Sequence, residues 1–328
     1  MLNIRQVRHL ADVLDTTPKE LREVLQTPRE FYQELVLKHP QKPDKARIVV
    51  DVRGLLRAFQ LRLYRRLLLP KLNPSVHSHG GVIGHHIKTN AAPHLGSSFV
   101  FTTDISDFYP SIHYKRVYQL FAERLGCSPD VARCCTQICT YEHHLALGLI
   151  TSPILADQLM NRVDRRIGTL CKKSNLTYTR FVDDISISGP FDLERSGFAT
   201  LVEKILTQDG FKVNPLKHRF GKFSKDATIT SLREVRGHLD VKKEYLTELV
   251  RQLSDAASLA RDEEFVGPYY TPGQLLGRVR FVAWVNPGRR KELMRRFRSI
   301  RWGLVKANAA KRSLVASRIT VNKPSSEQ

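Results

Sequence analysis

An α+β fold is predicted by three features of the 328-residue chain. Helical periodicity dominates both ends, period-two alternation occupies the middle, and the middle segments carry aspartates where the alternation starts or stops. At the N-terminus Ile4, Val7, Leu10 and Leu14 follow one helix face. Thr17-Pro18-Lys19-Glu20 is a helix start, with Thr to cap, Pro at the first helical position and Glu to close a capping box, and Thr27-Pro28-Arg29-Glu30 repeats the device. Two prolines between Lys38 and Lys45 predict a turn leading into a strand at Arg47-Ile48-Val49-Val50, followed by an Arg-rich helix from Leu55 to Leu69. Gly80, Gly81 and Gly84 predict a flexible loop. Phe99 to Ile105 reads as a strand, Tyr114 to Leu125 as a helix, and Leu155, Leu159, Val163 and Ile167 as the apolar stripe of a longer helix begun near Pro153. Ile185 and Ile187 alternate with Ser186 and Ser188, which puts Asp183-Asp184 at a hairpin tip. A helix from Phe198 to Leu206 and a short strand in Val235-Arg-Gly-His-Leu239 precede a basic helical lobe beyond Leu246, and the chain after Asn322 has a disordered composition.

Charge narrows the function. Lys and Arg number 53 against 32 Asp and Glu, a net charge of +21. From Arg278 to Arg318 there are 13 basic residues and one acid, Glu292, so one block supplies +12 of that excess. Such concentration favours a polyanionic partner, nucleic acid above all. The 41% hydrophobic content excludes a fully disordered chain. No apolar run approaches the length of a membrane span, so no membrane partner is expected. The five cysteines form no CxxC pair, and Cys134, Cys135 and Cys139 read as small buried residues in a reducing cytoplasm.

Asp104 at a strand end and Asp183 and Asp184 at a hairpin tip are the candidate catalytic and metal-binding acids. Clustered carboxylates repel unless a cation neutralises them, and hard oxygen ligands with substrate phosphates suit Mg²⁺. Two such ions can activate a 3′-hydroxyl and stabilise a pyrophosphate leaving group. By itself an Asp-Asp pair at a hairpin is equally a turn device.

The neighbouring blocks carry more. Thr103-Asp-Ile-Ser-Asp-Phe-Tyr-Pro-Ser-Ile112, Leu145-Ala-Leu-Gly-Leu-Ile-Thr-Ser-Pro153, Phe181-Val-Asp-Asp184, Gly210-Phe-Lys-Val-Asn-Pro-Leu-Lys217, Val235-Arg-Gly-His-Leu239 and Asn90-Ala-Ala-Pro-His94 together resemble the bacterial retron-type reverse transcriptases, in order, over roughly residues 20–300. The resemblance implies a right-hand polymerase: N-terminal helices and fingers over 1–98, a palm over 99–240, a basic helical thumb over 241–322 and a disordered tail over 323–328. It implies RNA-directed DNA synthesis with two Mg²⁺ ions and dNTPs, yielding cDNA from a dedicated structured non-coding RNA, in the cytoplasm and in anti-phage defence. A protein effector or a second copy of the chain are further expected partners. The same palm also accommodates template-independent or protein-primed synthesis, and a non-catalytic RNA-binding protein is the reading from another class.

Roles carry over by position. Asp104, Asp183, Asp184 and the carbonyl of Ile105 would hold the metals. Tyr109 would be the steric gate against a ribose 2′-OH, or else a core aromatic. Lys45 and Arg47 would hold the triphosphate, and Lys217 would protonate pyrophosphate. Asp107 reads as structural. Arg290, Arg296 and Arg301 are candidate phosphate contacts, with Phe281, Trp284 and Phe297 as helix core. Three positions depart from the family's usual pattern: Phe181 stands for Tyr, Leu147 for Gln, and Arg236 for the Thr of the retron group. The last fits solitary defence-associated bacterial reverse transcriptases equally well.

Overall fold

The computed structural model describes residues 2, 4–39, 42–263 and 268–321. The chain forms two compact units, Met1–Phe223 and Ser224–Gln328. The tail expected over 323–328 lies outside the described residues.

The first unit opens with α1 (Val7–Val13) and α2 (Pro18–Gln26). Thr17 caps α2 by accepting from the amide of Glu20 at 3.1 Å, and the Glu20 carboxylate takes the Thr16 hydroxyl instead of closing a box. The second expected helix start differs. Thr27 makes no side-chain cap, and Pro28–Phe31 is a single 3-10 turn. The chain then enters β1 (Tyr32–His39), which pairs antiparallel with β2 (Lys42–Val52). Most of the turn expected over 38–45 is therefore strand. Val36 faces Ile48 and Leu35 faces Val49, so β-branched cross-strand pairs outweigh the local proline signal.

Next come α3 (Gly54–Leu63), a π-turn at Tyr64–Leu68 that continues it, the single turn α4 (Leu69–Lys71) and α5 (Ile87–Ala91). The central strand is β3 (Phe99–Ser106). After it run α6 (Tyr114–Gln119), α7 (Pro129–Cys139), α8 (Ser152–Lys173), the hairpin β4 (Thr177–Phe181) and β5 (Asp184–Gly189), α9 (Phe198–Gln208), and the short β6 (Lys212–Val213) and β7 (Arg219–Gly221). The sheet order is β4-β5-β3-β6, with β7 also on β3, and every pairing is antiparallel. Ile185, Ile187, Phe101 and Ile105 belong to one buried core with Leu155, Met160, Val163 and Ile167 of α8. Cys127, Cys135, Cys139 and Cys171 are buried free thiols, and Cys134 is half-buried. Burial pushes the Cys139 and Cys171 thiols up to about 12.

The second unit holds the hairpin β8 (Leu232–Val235) and β9 (His238–Val241), then α10 (Lys243–Ala260), α11 (Pro272–Val285), α12 (Arg290–Arg298) and α13 (Trp302–Val321). Arg236 and Gly237 both have positive φ, 52° and 79°, which makes the expected short strand a tight hairpin.

Gly148 shows how closely the first unit's loops are fitted. Its φ is 107°, and an added Cβ would lie 2.4 Å from the carbonyl oxygen of Val50. The adjacent Leu147 carbonyl accepts from the Val50 amide at 2.8 Å, zipping this loop onto β2. Gly148→Ala is expected to lower the unfolding temperature by several degrees, as roughly 1–3 kcal/mol of backbone strain requires. An unchanged temperature would show that the loop can move off β2.

Candidate active site

Strand register brings the distant acids together. Asp104 on β3 is the cross-strand partner of Asp184, the first residue of β5, and Asp184 in turn pairs with Phe181 on β4. Cross-strand partners share a sheet face, so Asp104 and Asp184 project to the same side. Val182 and Asp183 form the turn between β4 and β5, and the Asp183 carbonyl accepts from the Ile105 amide at 3.0 Å. The Ile105 side chain is buried, which leaves only its main chain available to the site.

The electrostatics follow from this crowding. Burial first, then Asp183 and Asp104, pushes the Asp184 carboxyl up to about 7. Burial also raises Asp183; Asp104 adds to the effect, while Arg47 and Lys217 oppose it. Lys217 Nζ donates to Asp104 Oδ2 at 2.6 Å, which sets its charge beside the candidate acids. Among the described residues no three acidic, His or Cys side chains already converge as a metal cage. The donor set still fits Mg²⁺, which is bound through one or two carboxylates plus substrate phosphates more often than by an all-protein cage.

Arg47 is exposed on β2, where it faces Leu37, and its charge reaches Asp183. The Lys45 side chain lies outside the described residues. Tyr109 is half-buried against the core; burial, then Asp183, raises its hydroxyl to about 12. It is thus both a core-packed aromatic and a neighbour of the acids. Asp107 is exposed with φ 47°, and its carbonyl accepts from the Ser111 amide at 2.7 Å, so its role is in the backbone turn after β3.

The turn itself rests on a residue that the sequence reading passed over. Val182 has φ 61°, a conformation that a β-branched residue adopts only under constraint, at roughly 1–3 kcal/mol. Arg180 is fully buried and donates to the Val182 carbonyl at 2.8 Å. Its other donors reach Asp164 Oδ1 at 2.9 Å, Asp164 Oδ2 at 2.7 Å and Asp157 Oδ1 at 2.8 Å. Tyr178 donates to Asp164 Oδ1 at 2.7 Å, and the Ser75 amide to Asp157 Oδ2 at 3.1 Å. Burial opposes the guanidinium charge, but the two aspartates outweigh it and raise the Arg180 pKa. The signal in the sequence was two acids seven residues apart beside the apolar stripe of α8, where solvated acids have no place.

Gly80 completes the support, and here the expected flexible loop is corrected. Gly80 is buried, and a Cβ on it would lie 2.5 Å from the Val182 nitrogen and 2.9 Å from the Phe181 carbonyl carbon. The His79 amide donates to the Arg180 carbonyl at 2.8 Å, and the Arg180 amide to the His77 carbonyl at 2.7 Å, so this segment is laid along β4. The Asn90-to-His94 block also has a place. Thr179 donates to the Asn90 carbonyl at 3.2 Å, which spends its only proton, so His94 Nε2 donates to Thr179 Oγ1 at 2.8 Å. His94 Nδ1 then accepts from Ser188 at 2.7 Å. Burial, then His79, lowers the His94 pKa to about 3, and this neutral imidazole ties β4 to β5.

In the second unit Arg290, Arg296 and Arg301 are exposed, and Arg296 pairs with Glu292 at 2.9 Å. Leu293 is buried and sets the phase of α12, so its outermost stripe is Lys291, Arg295 and Arg298. Arg289 is pinned to the fully buried Asp240 at 2.5 Å and serves the unit's own packing. Phe281 packs edge-on against Tyr245 and Phe297 against Trp302, all four half-buried, whereas Trp284 is 42% exposed.

Two expectations follow from this geometry. Arg180→Met leaves two buried carboxylates without their cation and is expected to destabilise by about 3–5 kcal/mol in denaturant unfolding, with Asp164→Asn in the same chain recovering part of the loss. Full additivity of the two changes would contradict the shared network. Asp184 has a raised pKa in the folded chain, so the folded state binds the extra proton between about pH 4 and about pH 7. Stability falls there as pH rises, by at most about 1.4 kcal/mol per pH unit. Metal-free Asp184→Asn is therefore expected to unfold at a higher temperature than wild type near about pH 8 and at the same temperature near about pH 4. An equal gain at both would contradict the crowding.

Comparison with known proteins identifies the chain's family. The family model described as reverse transcriptase (RNA-dependent DNA polymerase) matches residues 36–246. The retron Mx65 reverse transcriptase of Myxococcus xanthus is 29% identical over 275 residues, covering 78% of this chain and 62% of that protein. The retron Ec86 reverse transcriptase of Escherichia coli is 31% identical over 152 residues, 46% of this chain and 47% of that one. The retron Se72 reverse transcriptase of Salmonella heidelberg is 29% identical over 190 residues, 57% of this chain and 50% of that one. The chain thus spans about half to three fifths of the length of these relatives. With its α+β right-hand polymerase fold, its acids on adjoining strands and a family match over most of its first unit, the chain belongs to the reverse transcriptase family, and the relatives it resembles are retron reverse transcriptases.

Proposed function

We propose that this chain is an RNA-directed DNA polymerase that copies a dedicated structured non-coding RNA into cDNA from dNTPs. The observation that carries the reading is the register of β3 against β5, which sets Asp104 beside Asp184, with Asp183 in the adjoining turn and the charges of Lys217 and Arg47 acting on them. Asp104, Asp183, Asp184 and the Ile105 carbonyl would hold two Mg²⁺ ions. When bound, the ions supply the positive charge that activates a primer 3′-hydroxyl and stabilises the leaving pyrophosphate.

The chain's own groups do the rest. The Arg47 guanidinium, beside Lys45 on the same strand, grips the triphosphate through its planar fork. Lys217 Nζ lies 2.6 Å from Asp104 Oδ2 and donates a proton to the departing pyrophosphate. The Tyr109 ring fills the space that a ribose 2′-hydroxyl would need. The basic helices of the second unit hold nucleic acid through its phosphates, with Arg290, Arg296 and Arg301 among the contacts. The bacterial cytoplasm and defence against phage are the setting that the sequence resemblance implies for this synthesis. The intact set of acids favours catalysis over a purely RNA-binding role.

Primer extension tests the reading. Asp104→Asn and Asp183→Asn are each expected to abolish dNTP incorporation while folding and RNA binding persist; near-normal activity in either would overturn the two-ion assignment. Tyr109→Ala is expected to admit ribonucleotides. A dNTP-over-rNTP preference equal to wild type would make Tyr109 a core aromatic only.

A further inference from the structure

Helix α8 carries its charges in an unusual arrangement. Its only acids, Asp157 and Asp164, are buried and committed to Arg180. Its outward face carries Arg162, Arg165, Arg166, Lys172 and Lys173, spaced to form one continuous stripe. Against these five cations stands one carboxylate, Asp209, which Arg162 approaches at 3.5 Å and Arg166 at 3.1 Å. Among the described residues no carboxylate pairs with Arg165, Lys172 or Lys173.

A solvated helix face ordinarily intersperses acids at the third and fourth positions, and other helices of this chain do so, as in Lys19–Glu23 and Arg251–Asp255. Lys172 and Lys173 complement the C-terminal end of the α8 dipole. That explanation does not extend to the three arginines in mid-helix, whose like charges at i and i+4 repel. The stripe is flanked by two shallow, open depressions, one of about 530 Å³ lined by Arg162, Arg165, Arg166 and Lys173 and one of about 450 Å³ lined by Arg165 and Lys172; both reach Thr169.

The position of the stripe relative to the acids decides what could bind. Tyr178 and Arg180, which bond α8, alternate along β4 with Thr179 and Phe181. Phe181 shares its sheet face with Asp184 and Asp104. Helix α8 therefore covers the opposite face of the sheet, and an anion bound along it is not the strand at the acids. We infer that the outward face of α8 is a second phosphate-backbone site that holds a part of the structured RNA not being copied. From Arg162 to Lys173 the stripe runs roughly 16 Å, enough to follow several successive phosphates, and arginine forks suit their oxygens. The inference rests on the proposed handling of a structured RNA, and its test can fail separately from that reading.

The test compares the full chain with the triple variant Arg165→Gln, Lys172→Gln, Lys173→Gln, three exposed residues outside the active site. The probe is a labelled RNA stem-loop, titrated over a series of sodium chloride concentrations. The slope of log affinity against log salt is expected to fall by roughly 2–3, and affinity at low salt by about tenfold or more. Turnover on a short unstructured RNA template with an annealed DNA primer is expected to equal wild type. An unchanged slope would overturn the inference and leave α8 a solvated face. So would a matching loss of turnover, or a loss confined to binding of phosphatidylserine vesicles. Wild-type chain that extends no primer, but whose salt slope still falls in the variant, would overturn the polymerase reading and keep this one. Independently, a photo-crosslinking residue at Thr169 is expected to form an adduct with the stem-loop, and absence of that adduct would also overturn the inference.

Discussion

A single buried guanidinium organises the part of the fold that carries the candidate acids. Arg180 reaches Asp157 and Asp164 on α8 and the Val182 carbonyl in the β4–β5 turn, so one side chain fixes a helix, a strand and a strained turn together. A lone buried charge would be prohibitive, and the Arg–Asp pairs are tolerated because nearly every donor and acceptor finds a partner. Replacing such a network by apolar residues often leaves stability unchanged. Its value here lies in specificity: the Val182 φ of 61° is held by a hydrogen bond that an apolar replacement cannot make.

The acids stand at the other end of that construction, and their electrostatics run against stability. Burial pushes both Asp183 and Asp184 upward; Asp104 adds to the repulsion on each, and Asp183 adds to that on Asp184. The fold therefore stores repulsion at the proposed cation site, while Gly80 against the turn and His94 between β4 and β5 hold the surrounding strands together. Binding of a cation and a nucleotide triphosphate would release that repulsion, coupling substrate arrival to the stability of the turn.

Much of this was legible in the sequence, for identifiable reasons. Alternation marked β3 and β5, and the apolar stripe marked α8, because those segments satisfy one period over their whole length. The acids stood out through the blocks around them, since an Asp-Asp pair alone is ordinary turn chemistry. The strand Tyr32–His39 was not legible: its stabilising partners, Ile48 to Val50, lie beyond a proline-containing stretch of sequence, and the local signal favoured a helix start. Gly80 was read as a flexible loop because its reason for being glycine is a backbone 102 residues away. Arg180 was passed over because an arginine in an alternating strand reads as exposed until its two aspartates are placed behind it. Each miss is a non-local pairing that overrides a local preference.

The most direct test of this account is the stoichiometry of Mn²⁺ bound in the presence of a primer–template and a non-hydrolysable dNTP, read by electron paramagnetic resonance for wild type and for folded Arg180→Met. Two ions per wild-type chain are expected, with a loss of at least one when the guanidinium no longer holds the turn that carries Asp183. Equal stoichiometry and affinity in both proteins would show that the acids keep their positions without Arg180, and would contradict the claim that this buried residue organises the site.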